Sequence, residues 1–345
     1  MQDSLLQPSV HSPLRRRLAL GLPLAGACWL LPPMASAATV SQQRSLMGTL
    51  VDLRVHHPNA ATAQRAAEAA WQEMQRLEAM MSRYVPGNPL AAIQTAAGIE
   101  PVTVPRELFA TLQAAHQVSR ASRGAFDVTV GSLQGWDFRP GHYQAASPES
   151  VARQLSLVNQ QAGLVLDAQR QTAFLRRQGM RLDLGGIAKL PILSSGMQVL
   201  QDHGIQSAML NGGGDILVRG GNLGAPWRIG VRDPRDPRQL LGTVALKDGV
   251  VAASGDYERC FEHAGARMHH ILDPHTGYPS NGPRGVVLVA RTTDAVNGWG
   301  AATMVAGLQF GREQIAHQAG IEGLIVEANH SVWMSPGMGQ LLQQG

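Results

Sequence analysis

Paired glycines ahead of an apolar run mark the segment D-L-G-G-I-A-K, Asp183 to Lys189, as a place suited to anions. If the glycines open a helix, its first backbone N–H groups lack partners within the helix, and together with the helix dipole they suit a pyrophosphate. Lys189 falls within the first turn or two, where an ammonium meets phosphate oxygens; it is one of two lysines in the chain, the other being Lys247. The plainer alternative is a glycine turn followed by a solvated lysine. Asp127 and Asp183 each sit beside apolar neighbours, which gives their carboxylates a hydrogen-bonding duty toward a base, a ribose or nearby backbone. In H-H-I-L-D-P-H-T-G, from His269 to Gly277, His270 is suited to take a proton from an attacking hydroxyl, and Asp273 is a second catalytic candidate. Against that stands a reading in which both only brace a loop, since the Asp273-Pro274 step favours a turn. His263, His269 and His275 show no recurring zinc-like spacing, so no zinc site is expected.

These residues need elements to hold them. T-L-V-D-L-R-V after Gly48 alternates apolar and polar residues and predicts a half-buried strand, and the Ala-rich stretch from Ala60 to Met81 carries apolar residues at helical spacing. A second helix is expected from Pro105 to about Ser122, another from about Pro148, another from Gly186 to His203, and further ones after Asn297 and Phe310. Between them, L-V-L-D, A-F-L, M-R-L-D-L, A-M-L-N, D-I-L-V, W-R-I-G-V and G-T-V-A-L read as short strands. Mixed strands and helices without strict alternation predict an α+β fold, and no internal repeat breaks it into modules.

The first residues read as an export leader: Arg15, Arg16 and Arg17 precede an apolar run from Leu18 to Leu31 that ends in M-A-S-A-A, with cleavage expected after Ala37. Residues 1–37 are therefore expected to be removed, and 38–345 to form the working domain in the periplasm, with no transmembrane segment. The triple arginine also fits a twin-arginine signal, the export route for folded proteins. Without the leader only Cys260 remains, so no intrachain disulfide is expected and the fold must rest on its core. The basic balance, a formal net charge of +4, comes from scattered residues with few aromatics, which excludes a nucleic-acid surface.

The order of the glycine-rich segments is more specific than any one of them. The chain gives M-G-T (Met47 to Thr49), M-S-R-Y (Met81 to Tyr84), G-A-F-D-V-T-V-G (Gly124 to Gly131), R-L-D-L-G-G-I-A-K (Arg181 to Lys189), N-G-G-G-D-I (Asn211 to Ile216), A-A-S-G-D-Y-E-R (Ala252 to Arg259) and H-H-I-L-D-P-H-T-G-Y-P (His269 to Pro279). This series resembles the ApbE family of FAD:protein FMN transferases across essentially all of the chain after the leader. The resemblance implies mixed sheets with flanking helices and a flavin site between sub-domains. It implies that Met47, Tyr84, Ala125, Phe126, Asp127, Asp183, Lys189 and Ile271 contact FAD. It implies a reaction in which FAD is cleaved at its pyrophosphate, FMN passes to a threonine hydroxyl in a motif of a periplasmic or membrane-bound respiratory protein, and AMP leaves.

The same resemblance implies Mg²⁺, with ligands from a carbonyl in D-L-G-G and from a late A-D-x-W-x-T segment. Here V-N-G-W-G-A-A-T-M-V-A-G places Asn297, Gly300 and Ala301 at those late positions, so Gly186 and Asn297 are the candidate ligands. A shifted register would instead offer Asp294 and Thr303. K-L-P-I-L-S also departs from the family's K-G-Y-A-x-D at Leu190, Pro191 and Ser194. These departures gather at the metal and phosphate end, which keeps open a second reading: a non-catalytic FAD-binding accessory or electron-transfer protein, similar to the NosX-type members of the family. A scaffold without flavin is disfavoured by the completeness of the remaining segments.

Overall fold

Alternating burial along Ala38–Leu46 and Thr49–His57 pairs these strands as an antiparallel hairpin, with Leu46 opposite Thr49. The computed structural model describes residues 38–343, so the expected leader lies outside the described residues. The hairpin turn is Met47-Gly48, both left-handed at φ 54° and 66°, as a two-residue turn of this hand requires. Six further strands, Ser207–Gly212, Ile216–Arg219, Gly249–Gly255, Gly285–Ala290, Glu322–Val326 and Val332–Met334, follow in chain order to complete an eight-stranded, wholly antiparallel sheet.

Both faces of that sheet are covered, and alternate residues of its central strands serve two cores. Val250, Val286, Leu288 and Ile325 point to one core, which packs against the helices Ala60–Met81, Lys189–Asp202, Trp299–Ala306 and Leu308–His317. Val251, Val287, Val289, Leu324 and Val326 point to the other, against a three-stranded sheet of Trp227–Asp233, Asp236–Leu246 and Leu342–Gln343. A further small sheet, Val102–Thr103, Thr172–Leu175 and Leu164–Asp167, lies with the helix Arg106–Ala121 and leads into the Gly124–Gly131 loop. The α+β class expected from the sequence is thus the one observed. Among the described residues no helix is long and apolar enough to cross a membrane.

Two expectations are corrected. Met180 to Leu184 joins no ladder; Leu182 and Leu184 are buried, and the backbone N–H groups of Leu182 and Asp183 donate to Gln94 Oε1 and Val128 O instead. Alternation there reflects burial on one side, without a partner strand. The helix expected from Gly186 begins at Lys189, because Ile187 and Ala188 both donate to the Leu184 carbonyl and close a turn first.

The long helix Ala60–Met81 is anchored by Trp71, fully buried, whose Nε1 donates to Gln42 Oε1 at 2.7 Å in the first strand. Trp71→Ala removes that volume and leaves the Gln42 acceptor unpartnered. We expect a loss of about 3–5 kcal/mol, measured by denaturant unfolding; a loss within the range of surface substitutions would show that the helix is held elsewhere.

Candidate functional site

The Met47-Gly48 turn is held from two sides. Its Met47 N–H donates to Glu78 Oε1 in the last turn of the long helix, and its Gly48 carbonyl accepts from the Arg259 guanidinium at 2.8 Å. The positive φ favours glycine at this position, and a Cβ there would stand 2.9 Å from the tip of the Arg259 side chain. Arg259 in turn accepts the backbone N–H of His270 at 3.1 Å through its carbonyl. M-G-T, the end of A-A-S-G-D-Y-E-R and the start of H-I-L-D-P therefore meet around one arginine.

His270 is exposed to solvent, yet protein walls it closely. That crowding, with the cations Arg259 and Lys189 nearby, pushes its imidazole from 6.5 down to about 4. The ring is thus neutral at ordinary pH, with a lone pair to accept a proton. Asp273 does not partner it: its Oδ1 accepts from the His275 backbone N–H at 2.8 Å and lies 3.0 Å from His275 Nδ1. Asp273 also closes the turn through its carbonyl, which accepts from Gly277 at 2.8 Å. Asp273 is thus engaged with its own loop, as the loop-bracing reading has it, since the proline step turns the aspartate back. Trp136 secures that loop from outside, its Nε1 donating to the Gly277 carbonyl at 3.1 Å.

Lys189, the first residue of its helix, forms an ion pair with Asp215 at 2.8 Å, and Asp215 also accepts from the Ala253 N–H at 3.3 Å. Asp183 accepts from Arg83 at 2.6 Å and from the Gly185 N–H at 2.8 Å, which fixes the glycine turn. The Arg83 guanidinium also sits 5.4 Å from the centroid of Tyr84, a ring left 73 % exposed. Arg83, Asp215 and Arg259 were not among the residues singled out from sequence, although each lies inside a quoted segment. The available signal was an unexplained charge beside glycine or an aromatic residue.

Asp127 faces inward. Its carboxylate accepts from Thr129 N at 2.7 Å, from Thr129 Oγ1 and from Gln160 N at 2.7 Å, while burial pushes its carboxyl up against the pull of those donors. Its acceptors are thus engaged in bracing the 3₁₀ turn Val128–Ser132. Ala125 and Phe126 are buried beside it, and the Phe126 ring edge lies 3.1 Å from the space a Gly186 side chain would occupy. Ile271 is half-buried against the main core, and its carbonyl accepts from Ser280 at 2.9 Å.

Gly186 and Asn297 are brought together, as the sequence expects, but not as metal ligands. Asn297 is 6 % exposed, and its Nδ2 donates to the Ile187 carbonyl at 3.0 Å. A carbonyl only accepts, so the NH₂ end of the amide must face it. Ala301 offers a methyl group 3.8 Å from the Gly186 Cβ direction. Of the residues a shifted register would offer, Asp294 is exposed and Thr303 is buried against Gly311. Among the described residues no group of three or more His, Cys, Asp or Glu could hold a metal ion. Magnesium asks for a near-octahedral set of oxygens, and these side chains do not supply one.

This arrangement, cationic residues and glycine turns gathered at one end of a two-faced antiparallel sheet, is that of a nucleotide-binding α+β protein. The sequence pattern of the ApbE family matches residues 47–325, and the chain belongs to that family. An FAD:protein FMN transferase of Treponema pallidum is 32% identical over 319 residues, covering 86% of this chain and 87% of that protein. Another, of Klebsiella pneumoniae, is 30% identical over 308 residues, covering 88% and 93%. The crystal structure of the ApbE protein of Thermotoga maritima superposes with a TM-score of 0.79 at 29% identity, covering 89% of this chain and 100% of that one.

Two outcomes follow from the His270 environment. Arg259→Met should raise the His270 pKa from about 4 while leaving it below 6.5, because the walls remain; imidazole resonances followed by NMR across pH would show this, and an unmoved value would remove Arg259 from the account. The folded state also binds this proton later than the unfolded chain does. Stability should therefore fall as pH drops from 6.5 toward 4. His270→Gln should flatten that slope without abolishing it, since His56 and His269 are also lowered by burial; identical pH profiles of unfolding for variant and parent would contradict the assignment.

Proposed function

We propose that this chain is an FAD:protein FMN transferase that moves FMN from FAD to a threonine hydroxyl of a periplasmic or membrane-bound protein and releases AMP. The observation that carries the reading is the convergence of M-G-T, D-L-G-G-I-A-K and H-H-I-L-D-P around Arg259, Lys189 and His270, in a chain whose relatives bear that activity along nearly their whole length. The acceptor hydroxyl oxygen attacks the phosphorus of the FMN half. The P–O bond to the AMP half breaks, and the hydroxyl proton passes to neutral His270. Lys189 and Arg259 orient the diphosphate and offset its charge. A bound diphosphate also opposes the two cations that depress His270, and so raises its basicity when substrate is present. The periplasmic site of action is supported by the basic and apolar leader pattern of residues 1–37.

One observation favours a second reading, a flavin-binding accessory that does not turn over. The position where the family resemblance expects a carboxylate carries Asn297, with its amide donating inward. The two readings separate in one assay. Protein incubated with FAD and a threonine-containing flavinylation-motif peptide should release AMP and add the mass of FMN to the peptide, and His270→Gln should lower that rate by about two to four orders of magnitude. FAD binding with neither product would sink the transferase and leave the accessory.

A further inference from the structure

The junction between the Gly185–Ala188 turn and the helix Trp299–Ala306 is where a divalent cation would have to sit if one tied these elements to a nucleotide, and there a hydrogen bond already closes the gap. We propose that the Asn297 amide substitutes for a cation at this junction, and that the protein binds its flavin nucleotide without a divalent metal. The proposal rests on the reading that the site holds an FAD diphosphate.

The chemistry of the junction supports it from three directions. The Ile187 carbonyl must be satisfied once it is turned inward, and either a cation or an N–H can do this; here Asn297 Nδ2 does so at 3.0 Å from a buried position. An amide NH₂ carries partial positive charge, so it excludes a cation from the space it faces. Asn297 is itself pinned, since its backbone N–H donates to the Thr293 carbonyl at 3.0 Å and ends the helical turn Thr293–Val296.

At the start of the helix Trp299–Ala306 the positions nearest the turn, Gly300 and Ala301, carry no side-chain oxygen. Gly300 has no side chain, and a Cβ there would stand 2.6 Å from Ser254 Oγ. Ala301 contributes a methyl group, Thr303 is buried against Gly311 and Asp294 is exposed.

Cationic side chains are nonetheless present near the turn, and they belong to the chain. Lys189, paired with Asp215 at 2.8 Å, begins the helix that follows the turn, Arg83 is paired with Asp183 at 2.6 Å, and Arg259, an exposed residue, bonds the Gly48 carbonyl. Guanidinium groups of this kind suit phosphate oxygens and stay charged at every working pH. Arg259, bonded to a carbonyl and not to a carboxylate, is the cation among these three whose charge is not already offset, and it is built into the chain.

The test uses the unmodified protein, stripped with EDTA, and compares FAD affinity by flavin fluorescence and melting temperature with and without millimolar MgCl₂. The proposal expects affinity to agree within about twofold and the melting temperature to be unmoved. A loss of affinity of about tenfold or more in EDTA, or a melting temperature raised by MgCl₂, overturns it. Asn297→Asp adds a positive control: a carboxylate facing the Ile187 carbonyl brings two acceptors together, so the variant should melt lower and hold FAD more weakly in EDTA, with both restored by MgCl₂. A folded variant indifferent to MgCl₂ also counts against the proposal; if the variant does not fold, the comparison on the parent protein decides alone. Absence of FAD binding under every condition would overturn the flavin reading itself, while the melting comparison would still decide the metal question.

Discussion

The strand Gly285–Ala290 has no exposed residue. Its alternate side chains must satisfy helices on one face and a second sheet on the other, so the register of the large sheet is fixed twice over. A slip of one residue would exchange the two cores, which differ in shape and in partners. Everything that positions the site depends on that constraint. Ala253 and Ser254, which touch Asp215 and face Gly300, belong to the strand paired directly with it. The turns that carry charge can be irregular because the sheet beneath them cannot move.

On that base, polar contacts distribute two kinds of duty. Asp127 and Asp273 direct their carboxylates to nearby backbone N–H groups and so shape loops. Asp183 and Asp215 instead hold cations in place, Arg83 and Lys189 respectively. Half-buried pairs of this sort give modest net stability, and their larger effect is to fix where a charge points before any ligand arrives. His270 is the opposite case, a polar ring kept without a carboxylate partner and therefore responsive to whatever charge enters the site.

Much of the framework was legible in the sequence because it is local. The periodicity of Ala60–Met81 and the alternation of Thr49–His57 are properties of neighbouring residues, and the structure follows both. The order of glycine-rich segments also pointed to the family. What could not be read were pairings across long separations: Arg83 with Asp183, 100 residues apart, Arg259 with Gly48, 211 apart, and Asn297 with Ile187, 110 apart. Residue type limits what each can bond but not which partner the fold delivers. Asp127 and Asp273 show the same limit, since an aspartate beside apolar residues serves a ligand or its own loop equally well until its acceptors are located.

The clamp of Arg259 on Gly48 carries an evolutionary consequence. One guanidinium restrains the hairpin tip, lies beside His270 and charges the entrance of the site. Mechanical and electrical duties are thus inherited together. A lineage drifting toward a less basic entrance would also loosen its first hairpin, and one keeping the charge with lysine would give up the planar fork that reaches the carbonyl. Gly48 is tied to the same contact, because a larger residue there would press on the tip of the arginine as well as strain the positive φ. A change at either position is therefore felt at the other.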